Sequence, residues 1–443
     1  MRVFLLLAPV GKEYKWAQQM PPLGISSIGA VLLENGHEVF AYDGSLDDSV
    51  GPSIEQIIKF KPQILGISFT TLQIKNAVAI ADKVKSIERG IMVAAGGVHV
   101  TPLAYCFLSH YGSFDIVIRG EGEHTMLELV NYIEKGASIS AVRGIVYRNG
   151  GNIVENQPRP LIEDMDSIPF ASKLFSFFEP NAYSPFEYMS LDSQRDIVRA
   201  PMMASRGCPY SCTFCYCQAM WGASYRRRSP KNIVDEIEYL ISKYKVNYIR
   251  FYDDNFCILE KDVIEMCNQI KQRGLKFKWR CEARVGPAAL NEQMLCIMKE
   301  AGCHMIELGV ESGSKRILES IKKQITVPMI KNAFRACHKA GLSTKAFLIS
   351  GLPQEKLSDT LKTISLLFKI NPDTVNLGTC QILPGTAIYH SLLKKRLINE
   401  EMWFNYGRRD IPRYYEFLSP FKKYLALVRR KLLFSYCNIR GLL

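Results

Sequence analysis

The sequence lacks the long apolar runs of a membrane protein. No stretch of about 18 apolar residues occurs in the chain, so we expect no transmembrane helix. The apolar run at the N-terminus is followed by glycine and charged residues and lacks a small-residue cleavage site, which predicts a strand instead of a signal peptide. Internal repeats and low-complexity tracts are also missing. These absences predict a cytoplasmic protein.

A complete disulfide framework is excluded as well, because thirteen cysteines cannot all be paired. In a reducing cytoplasm, clustered cysteines indicate metal or redox chemistry more often than disulfides. Hydrophobic residues make up 47% of the chain and charged residues 22%, which is typical of a globular protein with a buried core.

Acidic residues are too few to balance the basic ones, and the net charge is +13. Much of this charge lies in Arg226 to Arg228 and in residues 408–443. An excess of this kind suits an anionic partner such as a nucleic acid, a lipid surface or a phosphorylated substrate. An inert, solvated basic surface is the alternative interpretation.

The first 135 residues alternate short apolar runs with helix-like segments, which predicts a parallel sheet with helices on both faces. The predicted strands are 3–8, 38–43, 64–68, 91–96 and 115–119. Ligands of such open sheets bind outside the carboxyl ends of the strands. We therefore expect a binding site in the loops 68–73, 96–101 and 120–123.

A second alternating series follows a connecting segment, 136–197, that includes a predicted hairpin over 144–155. This series spans 198–390 and has six strand-helix units, which fit a partial barrel whose reactive face lies at the carboxyl ends of the strands. The predicted strands are 200–205, 248–253, 277–282, 305–309, 343–349 and 374–381.

The C-terminal tail, 391–443, is basic and contains a helical pattern over 417–434. Its apolar residues recur at helical spacing among lysines and arginines: Phe421, Tyr424, Leu425, Val428, Leu432 and Leu433. A basic amphipathic helix can lie on a membrane surface. More often it packs its apolar side on its own domain, and both interpretations stay open.

Three cysteines, Cys208, Cys212 and Cys215, stand close together after the first strand of the second series. Thiolates at this spacing can hold one iron-sulfur cluster from a single loop. Three ligands instead of four leave one iron open for a substrate or cofactor, by the logic that separates catalytic from structural metal sites. Structural zinc is the competing interpretation, but it usually takes two separated Cys/His pairs, and no second pair accompanies this triplet. One further cysteine, Cys217, is badly placed as a fourth ligand.

The segment 205–215, SRGCPYSCTFC, resembles the CxxxCxxC signature of the radical S-adenosylmethionine (SAM) superfamily. The resemblance implies a 4Fe-4S cluster on the three cysteines, with SAM on the open iron and an external electron donor. Segments 251–256, 307–313, 349–355 and 383–386 are similar to the SAM-contacting strand ends of the family. The implied cofactor contacts in the barrel are Phe214, Tyr216, Asp253, Asp254, Asn255, Glu311, Ser312, Ser350, Gly351 and Pro384.

The first domain resembles the cobalamin-binding module that precedes the barrel in class B radical SAM methyltransferases, through segments 21–25, 38–43, 66–71, 96–101 and 119–123. The implied cobalamin contacts are Pro22, Leu23, Ser68, Thr70, Thr71, Gly96, Gly97, His99, Gly120, Glu121 and Glu123. The DxHxxG pattern that supplies a histidine ligand to cobalt is absent. We therefore expect His99 at the cobalamin periphery and a five-coordinate or water-ligated cobalt; a domain without cobalamin is the alternative.

Together, these features predict an α/β protein with a doubly wound, flavodoxin-like (Rossmann-type) cobalamin-binding domain, followed by a partial (β/α)6 TIM-type radical SAM barrel. The resemblance covers residues 1–390 and implies methylation of an unactivated carbon in a small-molecule or lipid substrate. A radical SAM cyclase, rearrangement or carbon-carbon coupling enzyme is the first alternative. A zinc-binding nucleic-acid protein is a distant one, and no recognised nucleic-acid module supports it.

Overall fold

A computed structural model describes residues 1–10, 20–178, 183, 197–286, 290–404 and 411–443. The chain divides into two compact units. The first unit comprises residues 1–192 and 398–411, and the second comprises 193–397 and 412–443.

The first unit contains a seven-stranded sheet in the order β2-β1-β3-β4-β5-β6-β7. The strands are β1 (Arg2–Leu7), β2 (Glu38–Asp43), β3 (Ile64–Ser68), β4 (Met92–Gly96), β5 (Ile116–Ile118), β6 (Ile145–Asn149) and β7 (Asn152–Glu155). The first five strands pair in parallel. Their order, 2-1-3-4-5, is that of a flavodoxin-like doubly wound sheet, as predicted.

Four helices connect the parallel strands of this sheet, and a fifth leads from β5 to β6. They are α1 (Leu23–Glu34), α2 (Gly51–Phe60), α3 (Ile74–Ile87), α4 (Ala104–His110) and α5 (Glu123–Glu134). The central strands β1 and β3 are almost wholly buried, because helices cover a parallel sheet on both faces. The predicted hairpin is present as β6 and β7, and β6 pairs antiparallel with β5. The hairpin therefore extends the first sheet.

The second unit contains a six-stranded parallel sheet in the order β15-β14-β13-β12-β11-β8. The strands are β8 (Arg199–Met202), β11 (Tyr248–Phe251), β12 (Lys278–Arg284), β13 (Cys303–Glu311), β14 (Ser343–Ser350) and β15 (Thr374–Thr379). The order of the strands in this sheet is also their order along the chain, which is the arrangement of the predicted partial barrel.

The helices of the second unit are α6 (Cys217–Trp221), α7 (Pro230–Tyr244), α8 (Glu260–Gln272), α9 (Glu292–Glu300), α10 (Lys315–Ser320), α11 (Val327–Lys339), α12 (Leu357–Ile370), α13 (Ala387–Lys394) and α14 (Pro420–Ile439). Polar side chains cap several of them: Ser229 accepts from Asn232 N at the start of α7, and Thr386 accepts from Tyr389 N at the start of α13. Such caps satisfy backbone N–H groups that lack a partner in the first helical turn.

The strand predicted over 200–205 is split. After β8, the short strand β9 (Ser205–Arg206) leaves the barrel sheet and pairs antiparallel with β10 (Arg226–Arg227). The reason is Asp253, whose carboxylate accepts from Ala204 N at 3.1 Å and from the Ser205 hydroxyl and so turns the chain at this point. The cysteine loop is therefore enclosed between two strands of a separate ribbon.

The tail helix, α14, buries less of its apolar surface than the packing interpretation requires. Its buried positions include Ala426, Leu433 and Cys437, whereas Phe421 and Tyr424 are 70% and 63% exposed. Of the six apolar residues in the predicted helical pattern, only Leu433 is buried among the described residues. The interpretation that the helix packs these side chains on its own domain is therefore wrong for the other five. No helix among the described residues has both the length and the apolar character needed to cross a bilayer.

Part of the tail belongs to the first unit. Residues 398–411 are grouped with it, and Trp403 is fully buried there, with its ring edge-on to His99 at a centroid distance of 5.8 Å. In the same segment, the Cys106 thiol donates to the Glu400 carboxylate at 2.8 Å. A segment near the end of the chain thus completes the core of the first unit.

Candidate active site

The cysteine loop lies between β9 and α6 and carries Cys208, Cys212 and Cys215. It begins with Gly207 in the left-handed region, at φ +88°, where an added Cβ would overlap the Ser224 carbonyl oxygen. Only glycine accommodates both the backbone angle and this close approach. The Gly207 N–H donates to the Asp254 carboxylate at 3.1 Å, which anchors the start of the loop.

Hydrogen-bond donors lie next to the sulfur atoms of this loop. The Arg284 guanidinium, at the end of β12, donates to Cys212 Sγ at 3.3 Å, and the Cys217 N–H donates to Cys215 Sγ at 3.4 Å. A hydrogen bond from the Cys217 thiol also lowers the pKa of Cys215 to about 7. These donors stabilise thiolates, which are the form that binds metal.

The guanidinium of Arg284 is itself held in place by its surroundings. It is buried and lies 3.8 Å from the centroid of the Tyr210 ring, in cation–π geometry. The Arg284 N–H donates to the Asn255 side-chain oxygen at 3.0 Å, so Asn255 fixes the backbone that carries the arginine.

The chemistry of this donor set fits an iron-sulfur cluster. Among the described residues, no three His, Cys, Asp or Glu side chains are grouped so that they could hold one metal ion. A 4Fe-4S cluster makes a different demand, because each thiolate binds a different iron and the ligands need not converge on one point. Three thiols in one loop, with a cationic donor on Cys212 Sγ and an N–H donor on Cys215 Sγ, meet that demand.

Two of the predicted SAM contacts after β11 form hydrogen bonds with residues that precede the cysteines of the loop. Asp253 is fully buried, and burial raises the pKa of its carboxyl to about 6, although it accepts the two hydrogen bonds that turn the chain at Ala204 and Ser205. The Asp254 carboxylate accepts from Gly207 N and also from the Cys217 and Trp221 side chains. A contact between SAM and Asp253, Asp254 or Asn255 stays a prediction.

The end of β13 carries Glu311 in a left-handed conformation, at φ +60°. Its carboxylate accepts from the buried Lys323 ammonium at 2.7 Å, and that ammonium lies 5.9 Å from the centroid of the Phe214 ring. The neighbouring Ser312 hydroxyl accepts from Ser314 N at 3.2 Å. A non-glycine residue held at positive φ by a buried ion pair is typical of functional sites.

The remaining predicted contacts of the barrel lie at the ends of β14 and β15. Ser350 donates to Gly378 O at 3.1 Å, and Gly351, at φ +74°, donates its N–H to the Glu355 carboxylate at 2.7 Å. Pro384 is buried in the loop after β15, and Tyr216, beside Cys215, has its pKa raised by burial. All four residues therefore lie in the expected strand-end loops.

In the first unit, the loops after β3 and β4 meet at His99. This imidazole is 1% exposed, its Nδ1 lies 3.0 Å from the Thr71 hydroxyl, and its Nε2 has no hydrogen-bond partner among the described residues. Burial lowers the pKa of His99 to about 3, so the ring is neutral. A buried nitrogen without a partner at the carboxyl edge of a parallel sheet fits a site for a polar ligand.

The two glycines before His99 have different surroundings. None of the described residues lies within 4 Å of an added Cβ at Gly96, whereas an added Cβ at Gly97, at φ +105°, would lie 2.8 Å from Phe69 O. Ser68 is half-buried and Thr70 is exposed at the end of β3. These residues fit a cofactor that lies against backbone at this edge of the sheet.

Two predicted contacts of this unit have structural bonds instead. Glu121 accepts from Ile162 N at 2.7 Å, and Glu123 accepts from the Ser27 hydroxyl at 2.7 Å. Gly120 adopts φ +69° in open space before them, and Pro22 and Leu23 begin α1. The two carboxylates therefore tie α1 and the 156–162 segment to the sheet, and their contact with cobalamin stays a prediction.

Three residues of these sites could not be predicted from the sequence: Arg284, Lys323 and Trp403. An arginine and a lysine in barrel segments carry no local signal, because their roles depend on contacts with Cys212, 72 residues away, and Glu311, 12 residues away. A buried tryptophan in the tail likewise gave no indication that it reaches His99.

Comparison with known protein families assigns both units. A model of the radical SAM superfamily matches residues 202–367, and a model of the B12 binding domain matches residues 15–130. An uncharacterized methyltransferase of Pyrococcus horikoshii is 32% identical over 415 residues, which cover 93% of this chain and 87% of that relative.

This chain is also similar to an enzyme that is named as a cyclase and not as a methyltransferase. The anaerobic magnesium-protoporphyrin IX monomethyl ester cyclase of Rubrivivax gelatinosus is 28% identical over 423 residues, which cover 94% of this chain and 72% of the cyclase. Among solved structures, the radical SAM methyltransferase TsrM of Kitasatospora setae, with cobalamin and a 4Fe-4S cluster bound, gives a TM-score of 0.71 at 16% identity and covers 89% of this chain and 75% of TsrM. At that identity the likeness shows the fold; a second TsrM structure holds tryptophan substrate and a SAM analog.

Proposed function

The chain belongs to the cobalamin-dependent radical SAM methyltransferases, and we propose that it methylates an unactivated carbon of a small-molecule or lipid substrate. The observation that carries the proposal is the set of donors on the cysteine sulfur atoms, above all Arg284 on Cys212. When bound, the cluster and SAM supply a radical that removes a hydrogen atom from carbon, and cobalamin supplies the methyl group.

Within this proposal, Cys208, Cys212 and Cys215 are the three protein ligands of the cluster. Arg284 and the Cys217 N–H stabilise negative charge on two of the sulfur atoms. Hydrogen bonds to cluster sulfur raise the reduction potential of a cluster, because they stabilise its reduced state, which carries more negative charge than the oxidised state. The electron comes from an external donor.

The loop ends of the barrel position SAM. Glu311 and Lys323 hold the end of β13 in its left-handed conformation, and Asp254 fixes the start of the cysteine loop through Gly207. Since Asp254 follows β11 and Glu311 ends β13, two strands of one parallel sheet, these two residues lie at the same edge of it. In the first unit, His99, Thr71 and the glycines after β4 are the contacts of cobalamin.

A small-molecule substrate is supported by the TsrM structure that contains tryptophan. A lipid substrate is the other class that the proposal includes. The two classes are separated by the product: anaerobic turnover with SAM labelled in its methyl group transfers label either to water-soluble molecules or to an organic-solvent extract.

The decisive experiment is the Cys212→Ala substitution in the anaerobically reconstituted protein. We expect it to abolish the broad iron-sulfur absorbance and the formation of 5'-deoxyadenosine, because one iron loses its protein ligand. Cys296→Ala, which changes a partly exposed cysteine of α9, is the matched control and should leave both signals intact. An unchanged iron content in the Cys212 variant would overturn the cluster assignment.

A second candidate is radical cyclisation without methyl transfer, and it is favoured by the similarity to the magnesium-protoporphyrin ester cyclase over 94% of the chain. The same labelled SAM decides between the two. Methyl label in the product supports methylation, and a product that has lost hydrogen without gaining label supports cyclisation.

A further inference from the structure

The last helix, α14, has two apolar faces, and its own domain covers one of them. The buried face contains Ala426, Leu433 and Cys437. The second face contains Phe421, Leu425, Val428 and Leu432, at successive spacings of four, three and four residues. That spacing places side chains on one side of a helix, and all four are exposed.

The neighbouring helix, α12, carries a second exposed row. Leu357, Leu361 and Phe368 repeat at helical spacing, and the Phe368 side chain is 67% exposed. The two helices are joined at their C-terminal ends: the Arg440 guanidinium lies 5.8 Å from the centroid of the Phe368 ring and donates to the Asn371 side chain at 3.1 Å. Large apolar side chains gathered on one surface mark an interaction site.

The charges on these two helices are almost all positive. The α14 sequence contains five Lys and Arg residues and no Asp or Glu. Arg429 is buried 3.9 Å from the Glu355 carboxylate, and the other four are Lys422, Lys423, Arg430 and Lys431. The acid of α12, Asp359, is buried and ion-paired with Arg316. Exposed lysines, Lys362 and Lys369, add to the positive charge of α12.

We propose that the surface formed by α12 and α14 binds the face of an anionic lipid bilayer. Apolar side chains in a row enter the boundary between headgroups and acyl chains, while flanking lysines meet the anionic headgroups. A nucleic acid would use the cations but would leave the exposed Leu and Phe in water. A second copy of this chain would bring two positive surfaces together, which repel. This inference concerns the exposed rows of α12 and α14, goes beyond the proposed function and is tested without turnover.

The test is flotation of the full chain with two kinds of vesicle, phosphatidylcholine alone and an equal mixture of phosphatidylcholine and phosphatidylglycerol. We expect strong flotation with the mixed vesicles and weaker flotation with phosphatidylcholine. The double variant Phe421→Ser and Leu425→Ser should lower the partition coefficient on mixed vesicles by more than about tenfold, because both side chains would leave the bilayer.

Charge is tested in the same way. Lys422→Gln together with Lys423→Gln should weaken binding to mixed vesicles by about tenfold and leave binding to phosphatidylcholine unchanged. The matched controls are Ile87→Ser with Tyr105→Ser, which remove exposed apolar side chains from the first unit, and Lys83→Gln with Lys261→Gln. All of these changes are on the surface, and circular dichroism confirms that the variants fold.

Three results would overturn the proposal. The first is absence of flotation with the mixed vesicles, and the second is equal flotation of the parent and the Phe421 and Leu425 variant. The third is a dimer in lipid-free solution that the same two substitutions dissociate, because the surface would then be covered by a second copy. Loss of iron or of cobalamin binding leaves this test unaffected, so the two proposals fail independently.

Discussion

At the residue scale, His99 combines deep burial with a neutral ring. Its Nδ1 lies at hydrogen-bond distance from the Thr71 hydroxyl, its Nε2 has no partner in the part of the chain that the structure describes, and the Trp403 ring lies edge-on to it. The glycines before His99 predicted its position at the periphery of cobalamin. Its burial could not be foreseen, because the tryptophan that covers it comes from the end of the chain.

The lowered pKa of His99 makes the stability of the protein depend on pH. With a pKa of about 3 in the folded state and about 6.5 in the unfolded state, neutral His99 stabilises the fold above pH 6.5, and this stability is lost as the pH falls. Between pH 6.5 and pH 5, we expect the unfolding free energy of the parent to fall by about 2 kcal/mol more than that of His99→Gln, which lacks the imidazole. Urea unfolding at both pH values measures it.

The control for this prediction is His390→Gln, at an exposed histidine of α13. That variant should follow the parent's dependence on pH. If His99→Gln also keeps the parental slope, the imidazole is not buried in its neutral form.

Gly207 offers a second test at the residue scale. Alanine at this position meets both the positive φ and the Ser224 carbonyl, so we expect Gly207→Ala to lower the free energy of unfolding by about 3 kcal/mol and to reduce bound iron. Gly274 is the matched control, since it follows α8 at φ +64° and none of the described residues lies within 4 Å of an added Cβ there. Gly274→Ala should cost only about 1 kcal/mol and retain the iron.

At the element scale, four neighbouring strands of the barrel share a charged interior. Glu307 of β13 lies 3.4 Å from both Arg250 of β11 and Arg280 of β12, and 3.3 Å from Lys345 of β14. Burial raises the pKa of Glu307, but the three cations more than offset this, and its pKa lies below the usual value. One carboxylate therefore joins four strands.

Removing this carboxylate leaves buried cations without compensation. We expect Glu307→Gln to lower the free energy of unfolding by about 3 to 5 kcal/mol, as measured by urea denaturation. The control is Glu319→Gln, which breaks the exposed pair with Lys315 at 3.8 Å and should cost less than about 1 kcal/mol. Equal effects of the two changes would show that the interior of the barrel is hydrated.

Sequence patterns predicted most elements well, because strands and helices of an α/β fold follow from local periodicity. The barrel strands at 248–251 and 343–350 lie within two residues of their predicted bounds. The exception is the strand predicted over 200–205, which ends at Met202, because the break depends on Asp253. That aspartate is 49 residues from Ala204 along the chain.

At the scale of the whole molecule, the first unit is completed by residues 398–411. Trp403 fills the space beside His99 and is fully buried. We expect Trp403→Ala to destabilise the first unit by about 3 to 5 kcal/mol through the cavity that it leaves. Hydrogen exchange of the backbone amides of β4 (Met92–Gly96) reports on this unit.

A spectroscopic signal separates this role from general destabilisation. Because Trp403 shields the imidazole, its loss should raise the pKa of His99 towards the ordinary value, which NMR titration of the His99 ring detects. Trp403→Phe keeps an aromatic cover and should preserve most of the shift. An unchanged His99 pKa in Trp403→Ala would show that other groups bury the ring.

The sequence by itself determined the two α/β series and the chemistry of the cysteine loop, since hydrophobic periodicity and the spacing of Cys208, Cys212 and Cys215 are local properties. Only the tertiary structure decided which groups serve those residues. Arg284 reaches Cys212 across 72 residues, Trp403 reaches His99 from the far end of the chain, and α14 keeps one apolar face exposed. Contacts between distant segments depend on how the whole chain packs, and no local pattern records them.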